Sequence, residues 1–325
     1  MRAVIDLLME AERISVFCHE NPDADTLGAA LALAMAAERL GKQAEVVSAD
    51  VPAPFLDFLP RIETVRRTPA LDPDLAVVVD AGDLSRIGSV LLDRADWFAA
   101  ARVANIDHHV SNPRFGDAAW VDPTAAATCE MVAMLLPELG IEIDTEIATC
   151  LMAGIVQDTH TFAHPNATPR TLRLSAQLVE AGAPLSAINR AVYADKPFST
   201  ISLWGRVLAD AGEKASGRIV HASMTLAMLA ATGEQPTAAE GLVDLLGSTR
   251  LADVTILFKE QSATEVRASV RTSARADAVA ITSAFGGGGH PRAAGCTIRQ
   301  PLERAREQLL AEAERELAHG DDRSR

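Results

Sequence analysis

Residues 75–79 form a continuous apolar run, Leu-Ala-Val-Val-Val, and Asp80 follows it directly. A run of this kind is typical of a strand buried on both faces, as in a parallel sheet covered by helices. A carboxylate at the tip of such a strand costs free energy unless it binds a partner or caps the turn. The run therefore predicts a covered parallel sheet whose strand ends carry polar groups.

The same arrangement occurs elsewhere in the first half of the chain. Apolar residues at 14–18 and 101–106 are each followed by a polar segment. Between them, the stretch 26–40 is rich in Ala and Leu and predicts a helix that stops at Gly41. The alternation predicts an α/β fold, a mostly parallel sheet with helices on both faces. Ligands bind such sheets at the carboxyl ends of the strands.

The length of 325 residues is more than one hydrophobic core usually supports, so two domains are expected. Helical signals without strands follow residue 185, and strand signals return at 219–224 and 264–271. The predicted divisions are 1–185 for the parallel α/β domain, 186–215 for a helical connector, 216–318 for a smaller α+β domain and 319–325 for a polar tail.

Charge and composition limit the partners. The net charge is −14 and aromatic residues make up 4% of the chain. Long nucleic acid usually requires a basic face and aromatic stacking platforms, so it is not an expected partner. No apolar window reaches the roughly 18 residues of a membrane span, and Asp6 lies where a signal peptide would be apolar. The four scattered cysteines include no Cys-x-x-Cys pair. A cytoplasmic protein with no membrane partner is expected.

His19, Asp23 and Asp25 lie on a predicted strand-to-helix turn. Their spacing can aim one imidazole and two carboxylates at a common point. Capping of the following helix would explain one of the acids but not a histidine and two acids. Imidazole and carboxylate ligands together suit manganese, iron or zinc. The turn therefore predicts a metal site.

Seven polar side chains are expected at strand ends. They are His19, Asp23, Asp25, Asp80, His108, His109 and Asp158. This set is sufficient for two metal ions that share one carboxylate. Two such ions can hold a hydroxide and clamp a phosphoryl group for in-line attack.

A glycine run in the second half is the other chemical feature. Gly286, Gly287, Gly288 and Gly289 are followed by His290. The run predicts either a flexible loop or a backbone that approaches and binds an anion. Arg271 can add a charged contact to the same anion.

Taken in order, these motifs resemble those of the DHH phosphoesterase superfamily. The match consists of His19-x-Asn-Pro-Asp23-x-Asp25, then Asp80, then Asp107-His108-His109, then Asp158. Residues 286–295, Gly-Gly-Gly-Gly-His-Pro-Arg-Ala-Ala-Gly, resemble the signature of its DHHA1 domain. A two-domain chain of this length is most similar to the group of bifunctional oligoribonucleases (nanoRNases) and pAp phosphatases.

The resemblance implies a role for each matched residue. One ion would be held by His19, Asp23 and Asp80, and the second by Asp25, Asp80, His108 and Asp158, so that Asp80 bridges the two. His109 would face the substrate phosphate, and Asp107 would orient a neighbouring histidine. Arg271, Gly286, Gly287, Gly288, Gly289 and His290 would hold the nucleotide. The implied cofactor is Mn²⁺, two ions per chain, with Mg²⁺ or Co²⁺ as substitutes.

The resemblance implies hydrolysis of short RNA and of 3′-phosphoadenosine 5′-phosphate (pAp), and it is compatible with a homodimer. Hydrolysis of cyclic di-AMP or of its linear product pApA is the alternative. A catalytically silent nucleotide-binding sensor is a remote alternative. A sensor of this kind predicts that some metal ligands are missing, and here every expected ligand is present. The chain departs from the family at His160 and Ala163, where Gly and Arg are usual, and this concerns substrate contacts near the fourth motif.

Overall fold

The computed structural model describes residues 1–323, so residues 324 and 325 of the predicted tail lie outside the described residues. The chain divides into two compact units, Met1–Asp195 and Lys196–Arg325. Within the described residues, no helix has the length and hydropathy needed to cross a membrane.

The first unit contains a five-stranded parallel sheet. Its strands are β1 (Arg13–Phe17), β2 (Gln43–Val47), β3 (Leu75–Val79), β4 (Arg102–Asp107) and β5 (Ala118–Val121). The strand order is β2-β1-β3-β4-β5, with every neighbouring pair parallel. Along β3, Leu75, Val77 and Val79 pack in one core while Ala76 and Val78 pack in another. The sheet is covered on both faces, which confirms the predicted fold.

Helices pack against both faces of this sheet. They are α1 (Arg2–Glu10), α2 (Ala24–Arg39), α3 (Ser89–Asp93), α4 (Ala95–Ala100), α5 (Thr128–Glu138), α6 (Thr145–Asp158), α7 (Pro169–Glu180) and α8 (Leu185–Asn189). Helix α2 is buried from residue 24 to residue 37. It approaches α6 so closely that a Cβ added to Gly28 would lie 2.3 Å from the carbonyl oxygen of Cys150. Beyond α2, Gly41 has a φ of +78°, as expected of the predicted stop.

The second unit is an α+β structure around a six-stranded sheet of order β10-β11-β9-β8-β7-β6. The strands are β6 (Gly212–Lys214), β7 (Ile219–Met224), β8 (Val254–Ser262), β9 (Glu265–Thr272), β10 (Gly288–His290) and β11 (Ala293–Ile298). The helices are α9 (Phe198–Ala209), α10 (Leu226–Thr232), α11 (Leu242–Gly247), α12 (Ala278–Ser283) and α13 (Leu302–Arg323). One core lies between the sheet and α12 and α13, and another lies under α9, α10 and α11.

Three details differ from the sequence expectations. The segment 186–215 is divided between the units, because α8 belongs to the first and α9 to the second. Helix α13 continues through 319–323, which were expected to form a polar tail. Strands β5, β6, β10 and β11 are additional, since they contain few of the β-branched residues that signal a strand and all but β11 are short.

Candidate metal centre

Asp80 lies at the middle of the polar groups. It follows β3 with a φ of +55°, a left-handed conformation that residues with a side chain rarely adopt. Such strain persists where surrounding contacts hold it, and it concentrates at functional sites. Asp80 is 4% exposed, with Oδ2 3.4 Å from His19 Nε2 and Oδ1 3.5 Å from His108 Nε2. The two carboxylate oxygens therefore face two different histidines.

His19 and Asp23 lie on the Oδ2 side of Asp80. The Nδ1 of His19 is 2.8 Å from a backbone carbonyl oxygen, and its Nε2 is 3.7 Å from Asp23 Oδ1. That Asp23 oxygen also accepts hydrogen bonds from the backbone N–H groups of Asp25 and Thr26, so Asp23 does cap α2. Capping does not exclude a metal, because ligand atoms of His19, Asp23 and Asp80 lie within 4.8 Å of one another.

A second group lies on the Oδ1 side. Ligand atoms of Asp25, Asp80 and His108 lie within 4.8 Å of one another. The Nε2 of His108 is 3.3 Å from Asp158 Oδ2 and 4.0 Å from Asp25 Oδ2. Asp158 is the last residue of α6, so its placement at a strand end was wrong. It still reaches the centre, and the six predicted metal ligands lie together.

Asp25 is fully buried against the start of α5. Its Oδ2 accepts from the backbone N–H of Thr128 at 2.7 Å, and its Oδ1 accepts from that of Cys129 at 2.8 Å. The first N–H groups of a helix have no partner within it and carry partial positive charge. The Asp25 carboxylate thus satisfies the first N–H groups of a helix that begins 103 residues away along the chain.

His109 is oriented by Asp107. Its Nδ1 is 2.7 Å from Asp107 Oδ1, and its side chain is 27% exposed, against 8% for His108. The other carboxylate oxygen of Asp107 accepts from Asn112 Nδ2 at 2.6 Å. Asn112 was missed at the sequence level, because the Ser-Asn-Pro stretch indicates a turn and nothing more. Its amide fixes the carboxylate that in turn fixes His109.

Five carboxylates are concentrated in this centre: Asp23, Asp25, Asp80, Asp107 and Asp158. Within the part of the chain that the structure describes, their ion-pair partners are histidines, with no Lys or Arg among them. Burial and the neighbouring Asp80 raise the pKa of Asp25 to about 7, and burial with Asp25 raises the pKa of Asp158. Burial opposes the ionisation of Asp80 too, but His108 and His19 hold its pKa well below the ordinary value. Buried carboxylates that have imidazoles but no Lys or Arg beside them are a ligand set that fits divalent metal ions.

The glycine run forms a hairpin in the second unit. Residues 288–290 are strand β10, which pairs with β11 through His290 and Ala293. A Cβ on Gly287 would lie 2.4 Å from the carbonyl oxygen of Gly295 and one on Gly289 2.5 Å from that of Ala293, so these two glycines are closely packed, whereas Gly286 and Gly288 are open. Ala293 also pairs with Arg271 of β9. Residues opposite one another in antiparallel strands share a face, so Arg271 and His290 lie in one row on one face of the sheet.

Comparison with known proteins agrees with this geometry. Residues 13–155 match the model of the DHH family, N-terminal domain, and residues 219–319 match that of the DHHA1 domain. A Thermus thermophilus protein named bifunctional oligoribonuclease and PAP phosphatase NrnA is 35% identical over 323 residues, which cover 98% of this chain and 94% of that protein. The chain belongs to the DHH family. The resemblance expected from the motifs is confirmed.

Two further relatives agree with that assignment. A Bacillus subtilis protein, also named bifunctional oligoribonuclease and PAP phosphatase NrnA, is 27% identical over 86% of this chain and 87% of its own length. The crystal structure of an exopolyphosphatase-related protein from Bacteroides fragilis gives a TM-score of 0.88. It covers 99% of this chain and 98% of that one at 22% identity, and so shares the fold.

In this DHH-family chain, the segment 122–129 supports three candidate ligands at once. The carbonyl oxygen of Ala125 is 3.3 Å from His108 Nδ1, and Thr128 Oγ1 donates to Asp80 Oδ1 at 3.1 Å. The N–H groups that hold Asp25 come from the end of the same segment. The sequence did not predict this support, since it depends on contacts between distant parts of the chain.

Glu130 holds that segment in place. It is fully buried in α5, and its Oε2 accepts from the backbone N–H of Ala126 at 2.6 Å and from Thr171 Oγ1 at 3.2 Å. Its Oε1 accepts from Arg170 Nε at 2.6 Å. The available signal was a single acid within the apolar helix Cys-Glu-Met-Val, because a buried carboxylate requires a partner.

Near the fourth motif, where the chain departs from the family, the backbone of residues 160–162 is strained. His160, Thr161 and Phe162 have φ of +48°, +54° and +64°, a region that favours glycine. The ring of His160 is stacked on that of His164, with centroids 5.3 Å apart, and meets the ring of Tyr193 edge-on at 4.6 Å. These contacts offset the strain that a glycine at residue 160 would avoid.

Proposed function

We propose that this protein is a metal-dependent phosphoesterase that hydrolyses short oligoribonucleotides and pAp. The observation that carries the proposal is Asp80, buried and strained, with each carboxylate oxygen facing a different histidine. One carboxylate shared by two mixed ligand sets suits two-metal hydrolysis of a phosphate ester. The names of the Thermus and Bacillus relatives support this choice of substrates.

Each ion has its own ligand set in this proposal. His19, Asp23 and Asp80 hold one ion, and Asp25, Asp80, His108 and Asp158 hold the other. Mn²⁺ is the proposed metal, with two ions per chain and Mg²⁺ or Co²⁺ as substitutes, since carboxylate-rich sites with imidazole accept these ions. When bound, the ions neutralise phosphoryl charge and lower the pKa of the attacking water.

His109 is proposed to contact the substrate phosphate. Asp107 accepts the hydrogen bond from Nδ1 of His109, and the proposed contact with the substrate is made by Nε2. Burial opposes the ionisation of Asp107, but the hydrogen bond with His109 holds the pKa of Asp107 below its ordinary value, so Asp107 is an anion that orients the imidazole. In this proposal, His109 contacts the phosphoryl oxygens and stabilises the charge that develops on them.

Residues of the second unit are proposed to bind the nucleotide. Arg271 is half-buried, its Nε donates to Asp244 Oδ1 at 2.8 Å and its Nη1 donates to the carbonyl oxygen of Val270 at 3.4 Å, so Nη2 and the second N–H of Nη1 are the proposed donors to a phosphate. His290 lies in the same row of the sheet as Arg271. The backbone of Gly286, Gly287, Gly288 and Gly289 is the proposed anion contact, and it is open at Gly286 and Gly288, where an added Cβ would meet no described atom within 4 Å.

Cyclic di-AMP or pApA hydrolysis is the second candidate, because the phosphodiester chemistry is the same and His160 and Ala163 alter the fourth motif. We place the protein in the cytoplasm, where its four free, buried cysteines would stay reduced.

A hydrolysis panel with Mn²⁺ tests the proposal. The panel contains pAp, RNA of two to five nucleotides, pApA, cyclic di-AMP and pyrophosphate. The proposal expects short RNA and pAp to be turned over with the highest kcat/KM. Preferred hydrolysis of cyclic di-AMP would establish the second candidate, and turnover of pyrophosphate alone would refute both.

A further inference from the structure

Two cations lie directly opposite each other on strands β8 and β9. Lys259 and Arg267 are register partners in this antiparallel pair, so their side chains project from the same face. Arg271 lies on that face as well, four residues further along β9. Like charges placed opposite one another destabilise a sheet. A pair of this kind is costly unless an anion lies between the two charges.

Neither charge has a counterion within hydrogen-bonding distance. Across residues 1–323, the side chains of Lys259 and Arg267 make no hydrogen bond and no ion pair, whereas Arg271 is paired with Asp244. Burial, with Arg267 and Arg271, lowers the pKa of Lys259, and Glu240 offsets this only in part. The net charge of the chain is −14, so these neighbouring cations do not result from a generally basic composition.

Toward β11 this face is lined by small residues, whereas on β8 Leu257, opposite Ser269, is buried in the core under α11. Ser269 lies between Arg267 and Arg271 on β9, and Gly295 and Thr297 lie beside it on β11. Thr297 and Arg267 are exposed and Ser269 is half-exposed, so solvent reaches this part of the sheet. An extended chain could therefore lie along β9 and β11 on this face, where the side chains between Arg267 and Arg271 are small.

We propose that Lys259 and Arg267 bind a second phosphodiester group of an oligonucleotide substrate. A guanidinium provides a planar fork for phosphate oxygens, and an ammonium adds a compact charge. Four residues along a strand separate Arg267 from Arg271 by about 13–14 Å. The two positions can therefore hold different phosphates of one short chain. This inference rests on the proposed function, and it assigns to the pair a preference for oligonucleotides over pAp.

The test measures binding and turnover separately, with full-length protein. Binding of a fluorescein-labelled five-nucleotide RNA is followed by anisotropy in EDTA, so that no hydrolysis occurs. The variants are Lys259→Gln, Arg267→Gln and their combination. The control is Arg299→Gln, which removes one positive charge from an 88% exposed side chain of the same unit. Thermal unfolding confirms that every variant is folded.

The double variant should weaken binding of the pentanucleotide about tenfold or more, and Arg299→Gln less than twofold. With Mn²⁺, its KM should rise at least tenfold more for the pentanucleotide than for pAp. Wild-type affinity in the double variant, or equal losses for both ligands, would overturn the inference. If wild type binds RNA through this pair but hydrolyses neither substrate, the inference stands and the proposed function fails.

Discussion

Replacement of Arg170 by Met should destabilise the protein, because it leaves the buried carboxylate of Glu130 without its positively charged partner. Arg170→Met keeps much of the apolar stem and removes the charge beside Glu130. Glu130 is fully buried, while the side chain of Arg170 is 39% exposed. After the substitution, the carboxylate retains hydrogen bonds from Ala126 and Thr171 but has lost its counterion.

The cost can be bounded from these contacts. Removal of one partner of a fully buried ion pair costs about 3–5 kcal/mol. Because Arg170 is partly exposed and two hydrogen bonds to Glu130 remain, we expect about 2–3 kcal/mol. For a unit of this size, each kcal/mol lowers Tm by roughly 2–4 °C, so the decrease should be about 4–12 °C. Mn²⁺ affinity should also fall, because Glu130 holds the segment that positions Asp25 and His108.

The assay is thermal unfolding by circular dichroism in EDTA, followed by calorimetric titration with Mn²⁺. Arg102→Met is the matched control, since Arg102 is 40% exposed and its partner Glu10 is 65% exposed. An exposed pair of this kind contributes at most about 1 kcal/mol. Addition of Glu130→Gln to Arg170→Met should recover part of the stability, because it removes the unpaired charge. A decrease in Tm no larger than that of Arg102→Met, or a double variant that is less stable, would refute the reasoning.

Three further predictions concern chemistry and pH. His109→Ala should lower kcat strongly while two manganese ions remain bound, and loss of an ion in that variant would contradict the assigned role. Arg271→Ala should raise KM for pAp about tenfold or more with metal content unchanged, and an equal rise in Arg299→Ala would make the effect nonspecific. For the metal-free protein, stability should fall from pH 5 to 8, because folded Asp25 and Asp158 have raised pKa values and retain protons that the unfolded chain has released. Mn²⁺ should reverse that trend, and a Tm that rises with pH in EDTA would contradict it.

The sequence predicted secondary structure and candidate site residues best where an apolar run ends in a polar or charged residue. The apolar run before Asp80 predicted both a buried strand and a functional carboxylate, because burial of a charge at a strand end requires a reason. The spacing from His19 to Asp25 predicted a site at the start of α2 in the same way. Asp158 was grouped with the strand-end residues but is the last residue of α6, and its side chain still lies beside His108 among the other candidate ligands.

Side-chain contacts that form only in the folded chain were not accessible in this way. Asn112 reaches Asp107 through a turn, and Glu130 and Arg170 meet across 40 residues of chain. The hairpin of β10 and β11 was missed because Gly and Ala have weak strand propensity. The positive φ of Asp80 follows from its neighbours in the fold, and no residue type in the sequence indicates it.

The central claim is that Asp80 is shared by two metal ions, and manganese stoichiometry in Asp80→Asn tests it most directly. Metal per chain is measured by equilibrium titration and elemental analysis, beside wild type and Asp57→Asn, an exposed aspartate in the same unit. Wild type and Asp57→Asn should each bind two ions. Asp80→Asn should bind at most one, weakly, and hydrolyse neither short RNA nor pAp. Two tightly bound ions and near-normal turnover in Asp80→Asn would contradict the account.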